Sequence, residues 1–330
     1  MLNSEGMQKR LVLVLIAIVS AIVIAIALIA IAAENTSLEI PKSLNFTIGV
    51  CTHGNESSEV FALNHGVKYL RTDVSLSANQ EKLLDLEHFQ YGANYLGILD
   101  YNTVPSKDWN LSQWNASIEQ VLAEYPWITA WEIWNEPMVS QFQTGYLNGS
   151  PYNYYEIIKS AYTIIKAREP NATIVCFGGA PIANQYAYYW YSQVWAYGAA
   201  EYCNAISIHA YPQTVGPLNS TSIKEWKESL YEYENLTSKP IWITEFGVPS
   251  SSELISGYTP KLQEEFLVSS LSLFNSMSFV KRVYWYDLWG LSDGALGNNF
   301  GLLNLSDPSS SVATPAWGAF LYAYFNSTSD

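Results

Sequence analysis

The 330-residue chain is poor in charge, and poorest in positive charge. Asp, Glu, Lys and Arg make up 14% of it, with 16 basic residues against 30 acidic ones and a net charge of −14. A surface of that sign repels a phosphate backbone, which excludes nucleic acid as a partner. Cysteine is scarce too. Cys51, Cys176 and Cys203 cannot build a disulfide framework. At most one pair closes, and Cys176 with Cys203 is the candidate because both stand beside neighbouring expected strands; three buried thiols acting as small apolar groups is the other reading. The four histidines, His53, His65, His88 and His209, fall in no H-E-x-x-H spacing, and no C-x-x-C occurs, so no metal and no cofactor is expected. No G-x-G-x-x-G follows the first expected strand, where C-T-H-G-N-E-S-S stands instead; this argues against an open doubly wound sheet. Gly178 and Gly179 read as a tight βα turn.

What is present is apolar and aromatic: 49% of residues are hydrophobic and 24 are tyrosine, enough for one large core. Polarity carried by Asn, Ser, Thr and Tyr rather than by charge suits an acidic habitat in which carboxylates are partly neutral. Lys9 and Arg10 precede an uncharged stretch, Leu11 to Ala33, broken only by Ser20. At 1.5 Å per residue it is long enough to cross a hydrocarbon core of about 30 Å. It reads as a transmembrane signal anchor, or as a cleaved signal peptide leaving at Ala30 and Ala32. Basic residues before it and Glu34 after it place residues 1–10 in the cytoplasm and the domain outside. Eleven Asn-x-Ser/Thr sequons, from Asn35 to Asn326, suit a glycosylated extracellular protein. The expected organisation is a cytoplasmic 1–10, a membrane helix at 11–33, a linker at 34–44 and one domain at 45–330.

Within that domain short β-rich runs alternate with helical ones eight times. The strands expected are Phe46–Cys51, Val67–Asp73, Asn94–Tyr101, a fourth beginning near Ile128, Ala172–Phe177, Ala205–Tyr211, Ile241–Phe246 and Arg282–Leu288. The clearest helix is Tyr154–Glu169, where Tyr155, Ile158, Tyr162 and Ile165 recur at three and four residues. Leu111–Glu124, Ser222–Tyr233 and Pro260–Ser276 read as helices as well. Alternation of this kind implies parallel strands with right-handed crossovers, and eight units close into a (β/α)8 TIM barrel.

The fourth strand carries the most pointed motif, W-E-I-W-N-E-P from Trp131 to Pro137. A strand's period of two puts Trp131, Ile133 and Asn135 on one face and Glu132, Trp134 and Glu136 on the other, and Pro137 ends it. A second apolar strand closes in T-E-F-G around Glu245. Two glutamates at the C-terminal mouth of a barrel match what glycoside hydrolysis requires, one to protonate the leaving oxygen and one to attack.

N-E-P on the fourth strand with T-E-F-G on the seventh resembles the clan A glycoside hydrolases, the retaining (β/α)8 enzymes that include cellulases, mannanases and β-xylosidases. The similarity runs over the whole barrel. It implies Glu136 as general acid/base and Glu245 as nucleophile. It also implies Asn135 on a sugar hydroxyl, Arg71 beside the nucleophile, His209 and Tyr211 of I-H-A-Y-P at the sixth strand, and Trp285 of V-Y-W-Y-D under the sugar. The third strand ends L-D-Y-N, without the histidine that some cellulase-like members carry nearby. Physically, a cation at Arg71 keeps Glu245 ionised, Tyr211 can donate to it, and His209 can orient Glu136. A carbohydrate is the expected partner. The rival reading is a catalytically silent carbohydrate-binding surface protein on the same barrel.

Overall fold

The computed structural model describes residues 39–290, 292–293, 298–304 and 312–328. The expected membrane segment at 11–33 lies outside them, and no helix among the described residues is long and apolar enough to cross a membrane. Eight parallel strands close a barrel in sequence order: β1 Thr47–Cys51, β2 Tyr69–Asp73, β3 Asn94–Leu99, β4 Ala130–Ile133, β5 Thr173–Pro181, β6 Ala205–Ala210, β7 Ile241–Phe246 and β8 Val280–Trp285. Around them lie α1 Glu56–Asn64, α2 Ala78–Tyr91, α3 Leu111–Glu124, α4 Pro151–Arg168, α5 Gln185–Ala196, α6 Ser220–Thr237, α7 Pro260–Asn275 and α8 Pro315–Phe325. The ladder closes where Thr47 to Val50 of β1 pair with Arg282 to Trp285 of β8.

Helix starts follow from local chemistry. Asn55, Asn110, Asn184 and Asn219 each turn a side-chain oxygen onto backbone N–H groups of the first turn of α1, α3, α5 and α6, satisfying donors that have no partner inside the helix. At α3 the cap is reciprocal, since Gln113 also accepts from the Asn110 N–H at 2.9 Å. Pro151, Pro260 and Pro315 open α4, α7 and α8, where a missing N–H costs nothing. Three of these capping asparagines, Asn55, Asn110 and Asn219, also begin sequons.

Two cores result from the alternation of strand side chains. Inside the barrel, Cys51, Leu96, Ala130, Val175, Ala205, Trp242 and Tyr284 pack together, with Arg282 stacked 4.3 Å from the Trp242 ring. Between strands and helices lies the larger layer, which includes Trp131, Ile133, Trp134, Phe246 and Trp285; each such side chain contributes about 1.5–3 kcal/mol by leaving water. Cys176 and Cys203 are bonded to each other, tying β5 to the segment before β6, and Cys51 is a buried free thiol.

Two local expectations are corrected. Gly178 and Gly179 do not turn the chain from strand to helix: β5 runs on to Pro181, and they sit in a register shift between Cys176 and Ala180. The second is β4, whose period of two stops at Ile133. Trp134 and Glu136 take positive φ of 70° and 46°, a left-handed turn that non-glycine residues seldom adopt.

Candidate active site

Those two residues aim the mouth of β4. The strand end is held by the Trp134 N–H on the Leu99 carbonyl at 2.8 Å and by the Tyr154 hydroxyl of α4 on the Ile133 carbonyl at 2.6 Å. With the left-handed turn, Trp134 swings out of the barrel against Trp109 and Trp114. Asn135 and Glu136 both face inward, so the expected two-faced split of the motif does not survive beyond Ile133. The Glu136 N–H then lands on the Gly178 carbonyl at 2.6 Å. This explains the glycine pair. A Cβ on Gly178 would lie 2.6 Å from the Trp134 carbonyl, and one on Gly179 would lie 2.2 Å from Nε2 of His209; both also hold positive φ.

Arg71, at 3% exposure, is the hub. Its Nε donates to Glu132 Oε2 at 2.6 Å, its Nη1 to Glu245 Oε1 at 2.6 Å, and its Nη2 to Asn135 Oδ1 at 3.0 Å. Glu132 accepts a further bond from the Thr244 hydroxyl at 2.9 Å and is fully buried. Glu245 accepts from the Tyr211 hydroxyl at 2.6 Å through Oε2. His209 stands between the two mouth carboxylates, Nδ1 at 2.9 Å from Glu136 Oε1 and 3.4 Å from Glu245 Oε2. An imidazole nitrogen facing two carboxylates carries the hydrogen. One oxygen of Glu136 and one of Glu245 lie within 4.8 Å of each other, with that nitrogen between them.

The electrostatics follow the partners. Burial by itself would lift the Glu245 pKa. The His209 and Arg71 charges and the Tyr211 hydrogen bond outweigh it, and the carboxyl is held below its usual value. For His209 burial works toward the neutral form, but the Glu245 charge and the Glu136 contact prevail over it and over Arg71, raising its pKa. Burial also opposes the Arg71 charge, and Glu132 and Glu245 more than restore it. The Tyr211 hydroxyl is raised by burial and by Glu245, so it stays a donor.

These groups open into a cavity of 430 Å³ at the C-terminal ends of the strands, lined also by Cys51, His53, Asp73, Tyr101, Phe142, Tyr286 and Phe300. Tyr101 and Phe142 stack at 5.3 Å and 7° on its rim. Six of the seven residues singled out from sequence, Arg71, Asn135, Glu136, His209, Tyr211 and Glu245, are brought together. Trp285 is not. It is fully buried outside the barrel against Phe246 and Phe266, because β8 turns Tyr284 and Tyr286 inward and the residue between them outward. Tyr286 lines the cavity in its place. The Asn135 amide oxygen accepts from Arg71, which turns the amide so that Nδ2 is the group left to donate. Sequence reasoning missed Glu132, although a carboxylate in mid-strand among apolar neighbours calls for a buried cation. Trp109, Trp114 and Trp190 are core, while His53 lines the cavity. Glu136, His209 and Glu245 bring ligand atoms close enough together for a cation, but Arg71 and Tyr211 already occupy the two oxygens of Glu245.

Residues 99–312 match the family described as glycosyl hydrolase catalytic core. No curated protein matches the chain. Among solved structures, a family 39 glycoside hydrolase from the gut symbiont Bacteroides cellulosilyticus WH2 is similar with a TM-score of 0.62 at 21% identity, over 87% of this chain and 65% of that one. The chain thus spans just under two thirds of that longer enzyme. A β-glycosidase is similar with a TM-score of 0.66 at 12% identity, over 87% and 98%. A family 1 β-glucosidase from Thermotoga maritima gives 0.61 at 10%, over 87% and 99%. Identities this low speak for the fold alone.

Proposed function

The chain belongs to the glycosyl hydrolase catalytic core family, and we propose that this glycoside hydrolase cleaves β-linked polysaccharides or glycosides with retention of configuration, outside the cell. The observation that carries the reading is the approach of Glu136 and Glu245 oxygens to within 4.8 Å. Retaining enzymes hold their carboxyls about 5–5.5 Å apart, whereas inverting ones leave about 6.5–9.5 Å for a water. Support for the β configuration comes from the names of the similar β-glycosidase and β-glucosidase.

Glu136 protonates the glycosidic oxygen as Glu245 attacks the anomeric carbon; the C–O bond breaks, the alcohol leaves, and a glycosyl ester forms on Glu245. Glu136, now a carboxylate, takes a proton from water, which attacks the same carbon and releases Glu245. Arg71 and Tyr211 keep Glu245 ionised and aimed before each turnover. His209 sets the Glu136 carboxyl against Glu245, Asn135 Nδ2 donates to a ring hydroxyl, and the Tyr101, Phe142 and Tyr286 rings offer faces to C–H groups. No metal or cofactor has a part in these steps. The extracellular placement rests on the apolar stretch at 11–33 and the eleven sequons; the full-length protein is expected in the membrane fraction with an endoglycosidase-sensitive mass, and an unglycosylated cytosolic protein would reject it.

The test separates the two glutamates. Glu245→Ala should lose all turnover, about 10⁴-fold or more, and azide should restore it with an inverted glycosyl azide as product. Glu136→Ala should be nearly inert on natural glycosides yet still react with aryl glycosides whose phenol leaves unaided, and azide should then give the retained product. Swapped stereochemistry would exchange the roles, and two fully active variants would end the proposal.

A further inference from the structure

The cavity does not stop at the catalytic pair. Past His53, Thr72 and Asp73, which both spaces share, a side chamber of 240 Å³ continues over the ends of β2 and β3, and the rest of its lining is Ser75, Gln80 and Asn102. Every one of these six side chains is polar. The wall is fixed rather than loose: Gln80 Oε1 accepts both the N–H and the hydroxyl of Ser75, at 2.7 and 2.8 Å, while its Nε2 donates to the Asp73 carbonyl at 2.6 Å. Behind the wall Asp100 is fully buried. One of its oxygens accepts the Asn102 N–H at 2.7 Å; the other, also buried, receives no donor. Burial first, and the Asp73 charge next, push the Asp100 carboxyl well above its usual range.

We propose that this chamber is a binding subsite for an uncharged sugar unit adjacent to the two units flanking the cleaved bond, with Asp73 accepting its hydroxyl hydrogens. The proposal rests on the glycosidase reading above. An all-polar concavity that includes a carboxylate suits a ligand rich in hydroxyls. Its charge follows from the shortage of cations. Arg71 is the only lysine or arginine lining the cavity or the chamber among the described residues, and all three of its nitrogens are engaged. A uronate there would face Asp73 with no lysine or arginine in the chamber lining to neutralise it.

The experiment measures kcat/KM on β-1,4-linked gluco-, manno- and xylo-oligosaccharides and on β-1,3-linked gluco-oligosaccharides of increasing length, with calorimetric binding of the same sugars to Glu136→Gln. In whichever series is cleaved, the step from dimer to trimer should raise kcat/KM about ten-fold or more, mainly through KM, and Asp73→Asn should cut that step to under about three-fold. Near-UV circular dichroism of Asp73→Asn checks that the isosteric variant is folded, and Asn102→Ala should diminish the same step. A flat length dependence, or a step that both variants leave intact, overturns the subsite. If no series is cleaved, binding decides: affinity that grows from dimer to trimer and is lost when Asp73→Asn is added sustains the subsite and sinks only the hydrolase reading. Absence of any binding overturns both.

Discussion

Two buried groups of carboxyls in this barrel have opposite fates. In the mouth, Glu132 and Glu245 share one guanidinium at 2.6 Å each, and Glu245 is held below its usual pKa despite burial. Between α1 and α2, Glu59 and Glu87 are equally buried, at 1% and 0% exposure, and among the described residues no lysine or arginine pairs with them. There Glu59 takes the N–H groups of Gly54 and Asn55 at 2.8 and 2.9 Å, and Glu87 takes the Tyr95 hydroxyl. One oxygen of each receives no donor; a proton shared between them satisfies both. Burial, followed by the Glu59 charge, pushes Glu87 up to about 9. The lesson is that burial does not decide whether a carboxyl is ionised. The nearest partner does.

The largest effect should come from erasing the difference. Arg71→Met leaves Glu132 and Glu245 buried without their cation, so kcat should fall about 10³-fold or more, and stability by about 3–5 kcal/mol, the cost of an uncompensated buried charge. Turnover of an aryl glycoside and urea unfolding at neutral pH check both numbers. Activity within ten-fold of wild type would show that Glu245 does not depend on the guanidinium.

A smaller effect concerns the pair without a cation. A carboxyl raised from 4.5 to about 9 on folding binds its proton more tightly in the native state. Its contribution is therefore fully present below about 4.5 and is lost as pH rises toward 9, the reverse of a depressed group such as Glu245, whose contribution is lost as pH falls. Wild-type stability should decline from pH 5 to pH 9, and Glu87→Gln, which removes the shared proton, should flatten that decline. Parallel curves for the two proteins would place the slope elsewhere. A stability maximum on the acid side also fits the low-charge, tyrosine-rich composition.

Much of the fold was legible because its signals are local. The periodicity from Tyr155 to Ile165 lies within α4, which ends at Arg168 with the expected last residue Glu169 as its cap, Leu111–Glu124 is α3 to the residue, and eight strand–helix alternations have one natural closure. Glu136 and Glu245 were legible for the same reason: a carboxylate, a proline or glycine and the end of an apolar run are neighbours in the chain. Trp285 misled because the family pattern named it, while the period of two in V-Y-W-Y-D, with Tyr284 inside, puts it outside. Glu132 was passed over because its reason for being there, Arg71, is 61 residues away.

The sequence alone determined that the chain alternates strand and helix and that two glutamates emerge at strand ends, since propensity, capping and periodicity act over a few residues. Only the tertiary structure decided which carboxyls are charged and where they point. Arg71 meets Glu245 across 174 residues, and His209 meets Glu136 across 73. The left-handed turn at Trp134 and Glu136 ends with the Glu136 N–H on the Gly178 carbonyl of the next strand. Electrostatic partners and backbone strain of this kind are set by barrel closure, and a short window of sequence does not contain them.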